Sequence, residues 1–320
     1  MTVRIGSDDD GRRLDRILRK YLPGLPLSAL HRLLRKGAIR LDGQKADASD
    51  RVREGTELSL PEMKNAIKTD ASGSNEGLSS ELKVVFENEH LLIINKEAGT
   101  LTHGDNGLDR SVLAYLTGKL SPSLSFIPGP LHRLDRGTSG LIAFSRSIEG
   151  ARQFSSAIAG RRIGKLYLAV LEGKLITTEC WEDTIERDEI KKTSSVSRRE
   201  SGRRAFTEAI PLAHDGETTL TLIKLGTGLT HQIRVQAASH GHPLFGDRKY
   251  GGKAFSGGFF LHAYELSDAS DPPETNLMPL LLTAPPPTRF VDFILRRYGK
   301  AWADSIAKGL PSVRLLDAIM

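Results

Sequence analysis

A polar loop runs directly into an apolar strand in the stretch His132-Arg133-Leu134-Asp135-Arg136-Gly137-Thr138-Ser139-Gly140-Leu141. The apolar residues 141–144 predict a buried strand, and the two glycines bound the loop before it. Asp135 is the only carboxylate beside His132, Arg133 and Arg136, and opposite charges nearby lower the pKa of a carboxylate. An ionised aspartate that a strand holds on a loop can act as a nucleophile or a base. These ten residues alone are equally compatible with a surface ion pair in a turn, so the rest of the chain decides.

The length and composition favour a globular protein of two domains. The chain has 320 residues, of which 39% are hydrophobic and 26% charged, and these values are ordinary for a protein with a packed core. No apolar run reaches the roughly 18 residues of a membrane span, and we expect no secretory signal and no membrane partner. Cys180 is the single cysteine, which excludes an internal disulfide, and we expect a cytoplasmic monomer.

Basic residues are concentrated near the N-terminus. The formal net charge of +6 is by itself only suggestive of a polyanionic partner. Ten lysines and arginines lie between Arg12 and Lys45, however, and only Asp15 and Asp42 oppose them. This distribution indicates a surface that faces an anionic ligand.

Helical spacing and turn residues predict two short helices on a small sheet in this basic region. The first helix ends at Pro23-Gly24 and has an apolar face made of Leu14, Ile17, Leu18 and Leu22. The second helix is capped by Ser28 and stops at Gly37. Residues 39–41 alternate as a strand into the hairpin pair Asp42-Gly43, and another strand covers 57–60.

This region resembles an S4 RNA-binding domain. The resemblance is carried by Leu14-Asp15-Arg16-Ile17-Leu18, Arg32-Leu33-Leu34-Arg35-Lys36-Gly37 and Ile39-Arg40-Leu41-Asp42-Gly43. It implies docking on structured RNA by shape and phosphate contacts more than by base sequence. The residues expected to bind the RNA backbone are Arg32, Arg35, Lys36 and Arg40. The alternative is a solvated basic face that binds nothing.

The chain divides into three segments. We expect an S4-like domain over residues 12–61 and a flexible linker over 62–81, where small and polar residues predominate. A catalytic domain with a C-terminal helical tail then covers 82–320. Residues 290–298 and 301–310 of that tail have an amphipathic helical pattern, and we expect them to pack on the large domain.

The large domain is predicted to be an α+β domain around a mixed, mostly antiparallel sheet. Many strands with few helices, and no strict alternation of the two, are typical of that class. Strands are expected over residues 82–86, 91–95, 141–144, 165–171, 204–213, 218–225 and 259–263. Helices are expected over residues 111–116 and 148–159 and from about residue 230.

Four motifs in this order are similar to those of RluA-type RNA pseudouridine synthases, and most similar to the ribosomal large-subunit branch (types C and D), which carries an N-terminal S4 domain. The first is the stretch from His132 to Leu141. The others are Lys165-Leu166-Tyr167-Leu168-Ala169-Val170-Leu171-Glu172-Gly173, Gly228-Leu229-Thr230-His231-Gln232-Ile233-Arg234-Val235, and Gly241-His242-Pro243-Leu244-Phe245-Gly246-Asp247 with Tyr250-Gly251. Each motif alone is weak, but the four together at family spacing are strong.

The resemblance implies an isomerase that converts uridine in structured RNA to pseudouridine without a cofactor or a metal. It makes Asp135 the catalytic aspartate and Arg234 the arginine that pairs with it. It makes Tyr167 an active-site tyrosine that stacks on uracil or transfers a proton, and it puts Leu261 in the wall of the base pocket. Arg133 is expected to fill the gap that a flipped base leaves or to bind the flanking phosphate, and the alternative is a buried structural ion pair.

Three other functions remain open at this point. A tRNA-directed synthase would carry the same motifs, although the S4 module favours large-subunit ribosomal RNA. A non-catalytic RNA-binding or ribosome-assembly protein would use the S4 domain alone. A metalloenzyme would use the ligand-like set made of His231, His240, His242 and Asp247, but HExxH and CxxC motifs are absent from the sequence.

Overall fold

The computed structural model describes residues 1–62, 82–104, 106–197, 202–268 and 277–310. They form a small N-terminal module followed by a large α+β domain. The predicted linker lies outside the described residues except for residue 62, and so do the last ten residues of the tail. Within the described ranges, no helix combines the length and the apolar character needed to cross a bilayer.

The N-terminal module packs two helices on a four-stranded sheet of order β1-β4-β2-β3. Its elements are β1 (Thr2–Arg4), α1 (Leu14–Tyr21), α2 (Leu27–Arg35), β2 (Arg40–Leu41), β3 (Gln44–Lys45) and β4 (Glu57–Ser59). Strand β1 was not predicted, and it pairs with β4 in antiparallel register. The apolar stripes of both helices lie in one core, as the helical spacing predicted.

Turn geometry in the module confirms two predictions and corrects one. Gly37 ends α2 with a φ of +67°, and Asp42 and Gly43 form the β2–β3 turn with φ values of +47° and +77°. Ser28 is not the cap of α2, because the helix begins at Leu27 and Pro26 occupies the cap position. The proline ring sets the backbone of that residue, and its carbonyl accepts from the amides of Ala29 and Leu30 at 3.0 Å each.

The large domain is built on a ten-stranded mixed sheet. Its strands are β5 (Val84–Glu87), β6 (Leu91–Lys96), β7 (Ser139–Ser145), β8 (Ile163–Glu172), β9 (Glu179–Asp188), β10 (Thr193–Ser197), β11 (Arg203–His214), β12 (Thr218–Leu225), β13 (Leu261–Asp268) and β14 (Leu281–Thr283). The order is β10-β9-β11-β12-β8-β13-β7-β6-β5, with β14 paired to β13. Among the described strands, β13 and β7 form the one parallel pair. The predicted fold class is confirmed.

Helices cover both faces of this sheet. They are α3 (Leu108–Leu116), α4 (Ile148–Ala159), α5 (Gln232–Ser239), α6 (Thr288–Tyr298) and α7 (Lys300–Lys308). Alternate residues of β8 belong to different hydrophobic cores. Leu168 packs with Phe293 of α6 and Ile306 of α7, whereas Tyr167 lies on the opposite face of the sheet. The C-terminal helices therefore pack on one face of the large domain, as predicted, and residues of α3 and α5 share the opposite face with Tyr167.

The parallel contact between β7 and β13 requires a glycine. Gly140 has a φ of +109°, and a Cβ atom there would lie 2.2 Å from the carbonyl oxygen of Ala263. Only glycine combines this conformation with so close a backbone approach. The glycine thus brings the loop that carries Asp135 beside β13 and β8, where Leu261 and Tyr167 are located.

Candidate active site

The backbone around Asp135 is held in place from several sides. The amide of Thr138 donates to the Asp135 carbonyl at 3.0 Å, and the Thr102 hydroxyl donates to the Leu134 carbonyl at 3.1 Å. The amide of Gly99 donates to the Arg136 carbonyl at 2.7 Å. These bonds fix the loop, so that the carboxylate of Asp135 is presented in one position.

Lys96 lies beneath this loop and is only 2% exposed. Its ammonium donates to the carbonyls of Glu97 and Thr100 at 2.9 and 3.0 Å and reaches the Arg136 carbonyl at 3.4 Å. Burial lowers the pKa of Lys96 to about 8, while the negative charge of Asp135 acts in the opposite direction. Lys96 therefore ties the segment after β6 to the Asp135 loop.

Arg234 bridges two carboxylates. Its Nη1 donates to Asp135 Oδ2 at 3.1 Å, while Nε and Nη2 donate to the two oxygens of Asp247 at 2.7 and 2.8 Å. The Arg234 and Asp247 side chains are 8% and 2% exposed, so this fork is buried. Burial alone would lower the pKa of Arg234, but the hydrogen bonds and charge of Asp247, followed by those of Asp135, raise it overall. The guanidinium is consequently a permanent cation in a fixed orientation.

Aromatic rings hold the guanidinium of Arg234 as well. Its Cζ lies 4.6 Å from the ring centre of Phe259 and 4.9 Å from that of Tyr250. Phe259 also packs against Gly137, where a Cβ atom would meet the ring at 2.8 Å. Because Gly137 has no side chain, the Phe259 ring can pack against both the loop and Arg234.

His231 is the second nitrogen-bearing side chain beside Asp135. It precedes α5 in a left-handed conformation with a φ of +58°, and its Nε2 lies 3.8 Å from Asp135 Oδ1. The Tyr250 hydroxyl accepts from the Ser194 amide at 3.0 Å and is hydrogen-bonded to His231 Nδ1 at 2.6 Å. Burial lowers the pKa of His231 to about 4, which makes the imidazole neutral at pH 7.

Asp135 opens into a small cleft. Its walls include Tyr167, Leu261, Leu229, Thr138 and the guanidinium of Arg234. Tyr167 is 7% exposed, and burial followed by the charge of Asp135 raises the pKa of its hydroxyl well above the ordinary value. The Thr138 hydroxyl is buried without a hydrogen-bond partner in the described part of the chain. A flat heterocyclic ring with polar edges would find stacking, apolar and polar contacts in this cleft.

The structure changes the interpretation of the cationic neighbours of Asp135. Arg136 donates from Nε to the Gly99 carbonyl at 2.9 Å, and His132 accepts from the Ala143 amide with its pKa lowered by burial to about 3. Arg133 is exposed at the mouth of the cleft, so the alternative of a buried structural ion pair is wrong. Side chains that are adjacent in a loop point apart, so the ion pair of Asp135 is formed by Arg234, 99 residues further along the chain.

The four residues expected to bind RNA are all exposed. Arg32, Arg35 and Lys36 are three and four positions apart on α2 and its end, which places them on one helix face. Arg40 follows on β2, and its Nη1 donates to the Gly43 carbonyl at 2.8 Å. We call these four exposed residues the cationic face of the N-terminal module.

The ligand-like set of the metalloenzyme alternative does not converge. Asp247 is bound to Arg234 and His231 to Tyr250, whereas His240 contacts Asp183 at 3.0 Å and His242 contacts the Glu172 carbonyl. No group of three potential ligand side chains suited to a metal ion occurs in the ranges that the structure describes. That alternative is contradicted by where these side chains lie.

Several residues of the site were not assigned to it from the sequence. Asp247 and His231 were considered only as metal ligands, and Tyr250, Phe259 and Lys96 were not considered as parts of the site. The available signal for Asp247 and Tyr250 was their place in the fourth family motif, which did not indicate what they contact. No local pattern pointed to Lys96.

Comparison with known proteins gives a consistent result. A family model described as RNA pseudouridylate synthase matches residues 90–239, and a model of the S4 domain matches residues 12–58. The chain is 30% identical over 283 residues to the ribosomal large subunit pseudouridine synthase C of Haemophilus influenzae, covering 82% of this chain and 85% of that protein. It is 28% identical over 275 residues to the protein of the same name from Escherichia coli K12, covering 79% and 80%.

The fold is also similar to solved structures. Human RNA pseudouridylate synthase domain containing 4 superposes with a TM-score of 0.56 at 20% identity, over 67% of this chain and 92% of that one. Human RNA pseudouridylate synthase domain containing 1 gives 0.51 at 23% identity, over 68% and 95%. At these identities the two superpositions show similarity of fold alone.

Proposed function

The chain belongs to the RNA pseudouridylate synthase family, and we propose that it isomerises uridines of large-subunit ribosomal RNA with Asp135 as the catalytic residue. The observation that carries this proposal is the buried fork of Arg234, which orients the Asp135 carboxylate at 3.1 Å inside a cleft lined by Tyr167 and Leu261. A surface ion pair in a turn would need neither the burial nor the cleft.

The reaction needs little beyond such a carboxylate. The bond from the ribose C1′ to N1 of uracil breaks, the base turns, a bond from C1′ to C5 forms, and the C5 proton is lost while N1 gains one. Atoms and electrons balance without an external acceptor. Asp135 can add to the base or act at C1′ while the uracil is detached, and both routes require it to be ionised and fixed.

Arg234 and His231 support that state of Asp135. The guanidinium stabilises the carboxylate as an anion and fixes one of its oxygens. The neutral His231 places its Nε2 3.8 Å from the other oxygen without adding a charge. One oxygen of Asp135 is thereby left less constrained than the other and is the one that we assign to the substrate.

Tyr167 and Leu261 form the pocket for the base. The raised pKa of Tyr167 keeps its hydroxyl protonated at neutral pH, so it stacks on uracil or donates a proton but does not act as a phenolate. The unpartnered Thr138 hydroxyl is suited to a polar edge of the base. Arg133, exposed at the mouth, is placed to fill the gap in an RNA stem from which the base has left.

The assignment to ribosomal RNA is supported by two observations. The relatives at about this similarity carry that substrate in their names. The S4 module presents Arg32, Arg35, Lys36 and Arg40 as one exposed cationic face, which suits the phosphate backbone of a large structured RNA. We expect the chain to act as a monomer.

Release of tritium from C5-labelled uridine in large-subunit ribosomal RNA tests the proposal. Asp135→Asn should abolish the release, whereas Asp304→Asn, at an exposed position of α7, should leave it unchanged. Release from bulk tRNA but not from ribosomal RNA would select a tRNA-directed synthase instead. Binding of ribosomal RNA without release from either RNA would indicate a non-catalytic RNA-binding protein.

A further inference from the structure

The S4 module is fastened to the large domain through Asp9, which is fully buried. Asp9 Oδ2 accepts from the Ser123 hydroxyl at 3.0 Å and from the Leu124 amide at 2.7 Å, and Oδ1 accepts from the Ser125 hydroxyl. Arg12 supplies the countercharge at 3.8 Å and also donates to Ser125. A buried carboxylate is tolerated only with such a set of partners, and here the uncharged ones all belong to the other domain.

Three further contacts surround this network of hydrogen bonds. Asp8 Oδ1 accepts from the amide of Ile148, the first residue of α4, at 2.7 Å. Gly6 lies so close to Pro122 that a Cβ atom would be 1.7 Å from the Pro122 carbonyl oxygen. The Leu124 side chain packs against the hydrophobic core of the S4 module itself. Polar, steric and apolar contacts therefore coincide at residues 122–125, which we call the docking segment.

The docking segment is continuous with the loop that carries Asp135. Asp135 follows Ser125 by ten residues. The intervening chain is pinned to β7, because the Ser145 amide donates to the Gly129 carbonyl at 2.9 Å and the Leu131 amide to the Ala143 carbonyl at 2.8 Å. The position of the S4 module is therefore coupled to that of the Asp135 carboxylate by a short segment of chain that has little conformational freedom.

Docking leaves the cationic face of the S4 module open. Arg32, Arg35, Lys36 and Arg40 are exposed, and the docking contacts are made by residues 6–12 instead. The module can thus hold an RNA backbone while it is attached to the large domain.

We infer that Asp9 is a specificity-determining residue, which fixes the distance between the phosphate-binding face of the S4 module and the uridine that reaches Asp135. When an RNA is bound to that face, only a uridine at one distance from the bound phosphates reaches the cleft. Uridines at other distances do not enter it. The inference rests on the proposed function for the identity of the RNA. Asp9 acts through the position of the module and does not touch the reacting groups.

Gly6→Ala tests the inference without altering any polar group. The backbone of Gly6 has a φ of −93° and a ψ of 173°, which alanine adopts readily, so the added methyl group acts only on the contact with Pro122. Gly24→Ala is the matched control in the same module, because a Cβ atom there meets nothing within 4 Å. Ser123→Ala weakens the network from the side of the large domain and leaves the S4 module unchanged.

Two readouts are made on the full chain. Hydrogen exchange reports whether the Leu124 and Ile148 amides, which donate to Asp9 and Asp8, lose protection. Tritium release and site mapping compare a large-subunit ribosomal RNA transcript with a short stem-loop that contains a uridine modified by the wild type.

Gly6→Ala should speed hydrogen exchange at least tenfold at both the Leu124 and the Ile148 amide. Ser123→Ala should speed it at least tenfold at the Leu124 amide, and Gly24→Ala should change neither. Gly6→Ala and Ser123→Ala should release tritium from the stem-loop at a rate within threefold of the wild type. On the transcript, they should modify the mapped uridine at least tenfold more slowly or modify additional uridines. Faster exchange with unchanged site selection would overturn the inference, and unchanged exchange in Gly6→Ala would overturn the docking on which it depends. A wild-type chain inactive on both RNAs would refute the proposed function, while exchange would still decide the docking.

Discussion

Replacing Asp247 by asparagine should damage catalysis although Asp247 does not touch the substrate. In the wild type, Asp247 accepts two hydrogen bonds from Arg234, and Asp135 accepts one. An asparagine offers one acceptor and sets an N–H group against the other donor of the guanidinium. Asp135 then remains as the nearest anion for a buried cation, and Arg234 should move onto it and occupy both of its oxygens.

The magnitude follows from burial and geometry. Breaking a buried ion pair by removing one partner costs about 3–5 kcal/mol, and the acceptor that asparagine keeps places Asp247→Asn near the lower end, at about 3 kcal/mol of unfolding free energy. A displacement of about 1 Å in a catalytic group lowers a rate by roughly 10²-fold, which corresponds to about 2.7 kcal/mol in the activation barrier. Because Asp247 is 2% exposed, the KM for RNA should change little.

Single-turnover tritium release and urea unfolding measure the two effects separately. Asp304→Asn serves as the control for loss of a carboxylate that is exposed. If Asp247→Asn unfolds more easily but retains its single-turnover rate within threefold, the fork does not orient Asp135. A loss confined to KM would equally refute this reasoning, because it would place Asp247 in RNA binding.

Three further predictions concern single groups. Tyr167→Phe should remove any contribution of the hydroxyl but leave the pH profile of kcat between pH 7 and 10 unchanged, because the raised pKa keeps Tyr167 protonated there; an alkaline limb present only in the wild type would contradict this. Burial lowers the pKa of His262 to about 4, so the unfolded chain binds the extra proton between about pH 6.5 and 4 and stability is lost as the pH falls through that window. The free energy of unfolding, measured with urea, should fall between pH 7 and pH 5 by about 2 kcal/mol less in His262→Gln than in the wild type. Equal decreases in the two proteins would refute the burial argument. The double variant Arg35→Ala with Lys36→Ala should reduce the slope of log affinity against log salt by about 2 for ribosomal RNA, as measured by filter binding, and an unchanged slope would exclude phosphate contacts by these residues.

The fold was predictable wherever one short pattern sufficed. Helix α4 has the bounds that its apolar spacing predicted, and Ser147 caps it by accepting from the Gly150 amide. Strands β9 and β10 were missed, because β9 buries fully only Trp181 and Ile185 and β10 only Ser194. Charged and polar residues fill the rest of these strands, and pairing at the outer part of the sheet holds them in place.

The site was predictable only in part. Motif similarity named Asp135, Tyr167 and Arg234, and the structure brings these three side chains around one cleft. The charge pattern around Asp135 suggested its sequence neighbours as partners, but the partner is distant in the chain. The second carboxylate on Arg234 could not be read from spacing, since a buried fork depends on how α5 and the loop after it are packed together.

The position of β13 in the sheet has a consequence for folding during synthesis. This strand lies between β8 and β7, yet it is made long after both. Until it emerges from the ribosome, the sheet exists as two halves with unpaired inner edges, and such edges invite aggregation and slow folding. The wall that Leu261 provides is also missing during that time. A nascent chain that already contains Asp135, Tyr167 and Arg234 therefore has no cleft in which they meet, and RNA-modifying activity begins only when β13 has closed the sheet.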